Sequence, residues 1–363
     1  MENFVTAIDR LLPRKKIDIF GKDSWLKTSL PYYLLPALIL RFIIGSMADE
    51  SFGMIAIIYA ALPILDEIFS LDERNPNKEE TKELLRNDWY FRMALYVSIV
   101  LSWILFIKTM TVISAMEVNS DTIFKFIGVV FISMNFYAAQ FSVAHELLHR
   151  YDPVLRFIGT VHMVKLYYMH FTYHHNNCHH PKVGIPEEDP STAPKGETVY
   201  QYIVRSVWTS LVGVYKMEQK RGTPLWKNAA VVSVSCTILF ASAVYFIFGA
   251  KAAIIHSLMA LGSICYLEST GYIEHYGLVR KKLPNGQYEP ISVMHSWNAP
   301  HRFTNYLFFK LQRHSDHHED DTKPYQTLLS LKHSPFLPHG YTLMFLMSYF
   351  PSVRVPPFRS GSE

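Results

Sequence analysis

Cysteine is scarce in this chain: only Cys178, Cys236 and Cys265 occur among 363 residues, and no two of them form a CxxC pair. That excludes zinc ribbons, iron–sulfur ligation and a rubredoxin-like module within the chain. Cys236 and Cys265 lie in apolar runs and are expected to pack there as small hydrophobes. Charge is also sparse. Asp, Glu, Lys and Arg make up 18% of the residues, against roughly 25% in ordinary globular chains. The net charge is +4, and no basic tract is interleaved with aromatics, so no nucleic-acid partner is expected. There is no flavin or nicotinamide fingerprint, no internal repeat and no low-complexity tract. No cleavable signal peptide is expected either. The first thirty residues carry Arg10, Arg14, Lys15, Lys16, Lys22 and Lys27 and have no apolar core before Leu30.

What the chain has instead is apolar residues pooled into long runs, at 49% hydrophobic and 14% aromatic. A membrane helix needs about 20 mainly apolar residues. Six such spans are predicted, at roughly 31–48, 51–70, 92–113, 123–144, 228–249 and 252–272. They fall in three pairs, each closed by a short connection. Arg41 and Lys125 lie inside spans, where they either snorkel or face the bundle interior. Lys and Arg concentrate in the N-terminal tail, at Arg74, Lys78, Lys82 and Arg86, throughout 150–227, and at Arg280, Lys281 and Lys282. The positive-inside rule then places both termini and every long segment in the cytoplasm. The expected fold class is all-α: a polytopic membrane protein with six transmembrane helices in three hairpins and a cytoplasmic, helical, histidine-rich cap. A basic tail is expected at 1–30, one integral-membrane domain at 31–355 and a short tail at 356–363. The stretches 155–173 and 200–217 read as cytoplasmic helices lying in or near the interface. Residues 340–352 read as interfacial or re-entrant, and 184–197 as a loop.

The other abundance is histidine, in five clusters. They read HELLH at 145–149, HFTYHH at 170–175, HNNCHH at 175–180, EH at 274–275 and HSDHH at 314–318. All follow apolar segments, and the predicted topology puts them on one side. One tetrahedral zinc takes four ligands, or three and a water. Eight or more imidazoles therefore imply two ions. His145 and His149, four apart, share a helix face. In HNNCHH, His175 and His179 share a face and His180 can reach a second ion; His314, His317 and His318 follow the same logic. His275 stands alone at the membrane face. HFTYHH fits the same HxxxHH spacing through His170, His174 and His175, so spacing alone does not choose the frame. Metal-bound imidazoles donate their other N–H to a carboxylate or carbonyl, and Glu146, Asp189, Glu268, Glu274 and Asp316 are placed to accept it. A rival reading of HELLH is a membrane zinc hydrolase with Glu146 as the water-activating base; it leaves the other clusters idle. His162, His256, His301, His333 and His339 match no ligand spacing.

Taken together, the chain resembles the integral-membrane, non-haem di-iron alkane 1-monooxygenases, relatives of the membrane fatty-acid desaturases and hydroxylases. HELLHR is similar to that family's HExxHK, GYIEHYGL to NYxEHYGL, and LQRHSDHH to its last histidine block. HSWN at 295–298, PYQ at 324–326, SPxxPxGY at 334–341 and LPxxD…D…NP at 62–76 match as well. The resemblance covers essentially everything beyond the N-terminal tail. It implies the frame HFxxEHxxxHHxxV, with His170–Phe171 at its start, Val183 at its end and His175, His179 and His180 as ligands. His174 then stands where the family has Glu, and Gly271 where it has Asn. The implied ligand set is His145, His149, His175, His179, His180, His275, His314, His317 and His318, holding two Fe ions. The implied reaction is O2-dependent hydroxylation of a terminal methyl in a linear alkane or similar alkyl chain, with electrons from a rubredoxin and its reductase. Hydroxylation, epoxidation or desaturation of another lipid-like chain, such as a fatty acid, is the alternative within the same chemistry.

Overall fold

The computed structural model describes residues 28–69 and 71–350. The tail expected at 356–363, and all but the last residues of the one at 1–30, lie outside the described residues. Among these, the secondary structure is helical, with two isolated bridges and no strand. A 3-10 turn, Leu30–Tyr33, leads into α1 (Leu34–Ile44). Then come α2 (Met47–Ile68), which contains a π turn at Ile57–Ala61, and α3 (Lys78–Arg86), started by an Asn77–Glu80 capping box. α4 (Asp88–Ala115) and α5 (Ile123–Leu148) follow, then α6 (Pro153–Lys165) and a helical run, α7 (171–182). α8 (Val199–Lys220) and α9 (Ala229–His275) complete the long elements. Three short helices close the chain: α10 (Arg302–Leu307), α11 (His314–Glu319) and α12 (Tyr341–Ser348).

Among the described residues, four helices, α2, α4, α5 and α9, are long and apolar enough to cross a membrane, and Leu30–Ile44 is a shorter apolar helix. Their outer faces carry bare apolar side chains, with Phe246 82% and Phe124 70% exposed. An apolar surface of that kind suits lipid rather than water. The stretches expected at 228–249 and 252–272 are two helices that meet at a kink and together make up α9. Gly249 interrupts it with φ 87°, a left-handed conformation that glycine adopts without a Cβ penalty.

The connections gather at one end of the bundle. The Ser114 hydroxyl donates to the Phe248 carbonyl at 2.7 Å, and Lys251 Nζ donates to the Met116 carbonyl at 2.7 Å. Lys108 reaches the carbonyls of Ile43 and Gly45. Arg41 pairs with Glu50 at 2.6 Å and Lys125 with Asp49 at 2.8 Å. Both span cations thus meet acids at this turn end instead of facing the interior. The opposite end holds the last residues of α5 and α9. There every residue from Gln140 to Leu148 is buried.

The stretch 155–173 starts at the surface, where Phe157 is exposed, and only then enters the bundle. α6 turns back from the end of α5 and packs against α5 and α9. A Cβ on Gly159 would stand 3.1 Å from the Ala144 carbonyl oxygen, so the two helices are in close contact. At its tip Lys165 bonds Ser102 in mid-α4 and sits 5.0 and 5.2 Å from the rings of Trp103 and Tyr137. The Ser102 hydroxyl and the two ring faces stand where water would otherwise meet the buried amine. α8 behaves as an amphipathic surface helix: Tyr202, Ser206, Ser210 and Val214 recur every fourth residue on its buried face, while Val204 and Trp208 are exposed. α12 is too short to span. The segment 184–197 is a loop.

Candidate metal centre

At the end opposite the turns, nine imidazoles converge in two groups. His145, His149, His175, His180 and His317 form one; His179, His275, His314 and His318 form the other. α5 contributes the first two as an i, i+4 pair, while α7, α9 and α11 supply the rest. His314 and His318, also i and i+4, share the second group, and His317 between them turns to the first. α7 departs from the expectation that His175 and His179 share an ion. His175–His179 is a π turn, whose i→i+5 bonding brings residue i+5 beneath residue i. His175 therefore pairs with His180, and His179 faces the other group. His170 and His174 belong to neither: His170 Nε2 lies 3.3 Å from the Ser210 hydroxyl, and His174 is buried with Nε2 unpartnered.

The nitrogen geometry fits cations. His175 Nε2 lies 2.8, 3.0 and 2.9 Å from the Nε2 atoms of His145, His149 and His180. One ring nitrogen has either a lone pair or a proton to offer, so it can satisfy one of these neighbours by hydrogen bonding, not three. A single cation held among them would take up all of these lone pairs, since metal–imidazole bonds are roughly 2.1 Å long. In the second group His314 Nε2 lies 3.0 Å from that of His275 and 3.1 Å from that of His318. The groups adjoin, with the His180 and His318 rings 4.5 Å apart. His317 Nε2 is buried with no protein partner.

Outward nitrogens are held selectively. His179 Nδ1 lies 2.9 Å from Asp189 Oδ2, which also accepts from the Thr192 hydroxyl at 2.7 Å. His275 Nδ1 faces the His295 carbonyl at 3.1 Å. The other acids expected to serve the imidazoles do different work. Glu146 pairs with Arg150 at 2.8 Å and accepts from the Tyr325 amide, which ties it to the scaffold. Asp316 holds Lys323 and the Leu329 amide. Glu268 accepts from Tyr168, and Glu274 from Tyr341 at 2.9 Å, with its other oxygen 3.4 Å from His314 Nε2. Asp321, which the sequence reading missed, lies 3.6 Å from His149 Nδ1 and 3.9 Å from His180 Nδ1. Its only signal was the acidic run directly after HSDHH.

The scattered polar blocks of the sequence form one scaffold around α11. Asn298 of HSWN accepts from the Ser315 amide at 3.0 Å. The buried Arg313 pairs with Asp72 at 3.0 Å and donates to the Leu328 carbonyl at 2.6 Å. Asp66 accepts from the Phe303 and Thr304 amides, and Asn75 from the Ser330 amide. The chain enters α11 through Phe309 and Lys310 at φ 53° and 54°, the kind of strain that persists only where surroundings over-determine it.

Burial, with neighbouring imidazoles adding to it, pushes His175, His180, His314, His317 and His318 well below the usual imidazole range. The rings are neutral, which is the metal-binding form. Burial alone would raise Asp189, but the His179 imidazole, His174 and the Thr192 hydroxyl together outweigh it and lower the carboxyl to about 2. These shifts predict an acid limit for the metal-free protein. Below about pH 6.5 the unfolded chain protonates these rings while the fold keeps them neutral. The unfolded state then binds more protons, so stability falls with pH, by up to about 1.4 kcal/mol per pH unit for each ring. Melting curves of metal-free protein should show Tm dropping from about pH 6.5 downward; a flat Tm over that range would contradict the buried, neutral state.

A cavity of about 150 Å³ opens on His145, His175, His179 and His314. It runs between α1, α2, α5 and α9, walled by residues such as Leu35, Leu38, Ile58 and Phe136, with a hydrogen-bonded Tyr59–Asn135–Tyr266 cluster also in its wall. Gly271 lines it too, and a Cβ there would meet the Tyr202 hydroxyl at 3.0 Å.

Comparison with known proteins agrees with this architecture. The fatty acid desaturase family model matches residues 122–347, which carry all nine imidazoles. Alkane 1-monooxygenase 1 of Alcanivorax borkumensis is 31% identical over 310 residues, covering 83% of this chain and 75% of that one. The alkane 1-monooxygenase of Ectopseudomonas oleovorans is 31% identical over 309 residues, with the same coverage. That of Acinetobacter baylyi is 32% identical over 302 residues, covering 81% and 72%. The chain belongs to the alkane 1-monooxygenase family, within the wider fatty acid desaturase family.

Proposed function

We propose that this chain is a membrane monooxygenase that hydroxylates the terminal methyl of a linear alkane, or a similar alkyl chain, to the primary alcohol. The observation that carries this reading is the meeting of two imidazole groups with the end of a mainly apolar cavity, in a chain of this family. All nine histidines are ligands, and the ions are two irons, for which an all-imidazole shell is suited. When bound, the ion pair would supply the reduction of O2 by two external electrons and two protons, one oxygen atom entering the C–H bond and the other leaving as water. The chain's own part is to hold and orient. The apolar walls take the alkyl chain and exclude water. A terminal methyl has no polar handle, so position must come from the shape of the cavity. Asp189 and the His295 carbonyl fix the tautomer and ring orientation of His179 and His275.

Electrons come from a rubredoxin-type donor with its reductase, and a basic cytoplasmic face suits an acidic donor. Six spans are formed by Leu30–Ile44, α2, α4, α5 and the two halves of α9. The distribution of Lys and Arg supports cytoplasmic termini and a cytoplasmic metal centre. A reporter fused to the C-terminus should therefore be active only as a cytoplasmic reporter; a periplasmic-type signal there would overturn this orientation. The reaction is tested by supplying linear alkanes to cells expressing the chain with a rubredoxin and its reductase. The 1-alcohol is expected. Mid-chain alcohols or new double bonds, with no 1-alcohol from any alkane, would overturn the reading.

A further inference from the structure

The outer face of α8 is left uncovered by the fold. Its buried ridge runs Tyr202, Ser206, Ser210, Val214. The ridge two residues further on, turned about 200° round the helix, runs Val204, Trp208, Val212, Lys216, Lys220. Val204 is 72% and Trp208 66% exposed, and both lysines are exposed. This outer ridge is therefore apolar in its first half and cationic in its second. The chain then continues into the turn Leu225–Lys227, where Trp226 is 72% exposed and Lys227 Nζ sits 4.6 Å over its ring. Among the described residues Lys216, Lys220 and Lys227 make no ion pair. Glu218, the only acid between Val199 and Asn228, is buried and pairs with Arg221 at 3.1 Å.

The position of α8 identifies what meets this face. The Tyr202 ring packs 5.4 Å from that of Tyr272, near the end of α9. The Tyr215 carbonyl accepts at 3.1 Å from Asn228 Nδ2, the residue that caps the start of α9. Tyr202 and Tyr215 stand only about 20 Å apart along the helix. α8 thus lies across both ends of α9, while the kink at Gly249 lies at the turn end. That is the level at which the two halves of α9 would leave a bilayer. Bare Val and Trp beside unpaired Lys match the step from acyl chain to headgroup there. We propose that the outer ridge of α8 and the Leu225–Lys227 turn are a docking surface for anionic phospholipid. Lys216, Lys220 and Lys227 meet lipid phosphate, and Trp208 and Trp226 enter the acyl boundary. An acidic protein would answer the charge but not the apolar half of the ridge. The inference requires that α9 cross a membrane and is independent of the reaction.

The test uses full-length holoprotein in phosphatidylcholine nanodiscs that carry a rising fraction of lipid brominated close to the glycerol. The brominated lipid is phosphatidylglycerol in one series and phosphatidylcholine in the other. Bromine quenches tryptophan fluorescence on contact, so the two curves give the relative association of the lipids. In low salt, wild type should prefer phosphatidylglycerol by about fivefold or more, the scale of one lysine at an anionic surface. The preference should shrink in about 1 M salt, where the screening length is about 3 Å. The triple variant Lys216→Gln, Lys220→Gln, Lys227→Gln, changed only at exposed positions, should show a ratio of about one. Trp208→Phe with Trp226→Phe should remove the extra quenching by phosphatidylglycerol. Equal association of the two lipids in wild type would overturn the proposal. So would an undiminished preference in the triple variant; if that variant also lost binding of an acidic rubredoxin-type donor, the face would be a protein-docking surface instead. Extra quenching that survived the tryptophan changes would place the lipid elsewhere and overturn it too.

Discussion

Replacing His314 or His317 with alanine is expected to abolish alkane hydroxylation, with different losses of metal. The two residues are three apart on α11 but serve opposite groups. Removing His317 leaves four imidazoles in the first group. Removing His314 leaves three in the second and exposes Glu274 Oε2 to a weakened site. Loss of an outer partner alone typically costs 10–100-fold in affinity or activity, so loss of a ligand should lower activity by about 100-fold or more in both variants. Iron should fall further in His314→Ala than in His317→Ala. Elemental analysis of the two purified proteins beside wild type checks the ordering. Full iron and full activity in either variant would remove that residue from the ligand set. The same comparison on His275→Ala tests the one ligand that no spacing rule supports.

Asp189→Asn is expected to have the second largest effect. The carboxylate is fully buried and receives His179 Nδ1 and the Thr192 hydroxyl. An amide of nearly the same size keeps the packing but removes the charge that supports the imidazole as a ligand. Metal affinity of the four-histidine group should drop by about 10–100-fold, read as earlier loss of one ion in a chelator titration. The five-histidine group, in which His149 and His180 turn Nδ1 toward Asp321 instead, should release its ion at the wild-type chelator concentration. Simultaneous loss of both ions would mean that Asp189 supports the whole cap rather than His179.

The elements readable from sequence are those whose signal is local. The apolar runs locate α2, α4, α5 and α9 because each carries its own length and composition, and Gly249 lies at the edge of the interval left between two expected spans. Eight of the nine histidines stand out because i, i+3 and i+4 spacing is a property of one helix; His275, which stands alone, is reached through the resemblance. Their division between the two groups is not local. It depends on the π turn at His175–His179, a choice of hydrogen-bond register that no residue type in HNNCHH announces. The path of α6 was misread for a related reason. Its apolar stretch is too short to span, and a short apolar helix reads as interfacial unless its partners are known. Those partners, Ser102, Trp103 and Tyr137, sit on other helices. The roles of the acids were the least legible. Glu268 meets Tyr168 across 100 positions and Glu274 meets Tyr341 across 67, so their occupation appears only once the chain is folded.

The central claim is that nine imidazoles hold a pair of irons. Its most direct test is the elemental composition of the purified, full-length protein, counting iron and zinc per chain. Two irons and no stoichiometric zinc are predicted, with both irons lost when ligands from the two groups are removed together. One zinc per chain, or a single iron unaffected by loss of His275, His314 and His318, would contradict it.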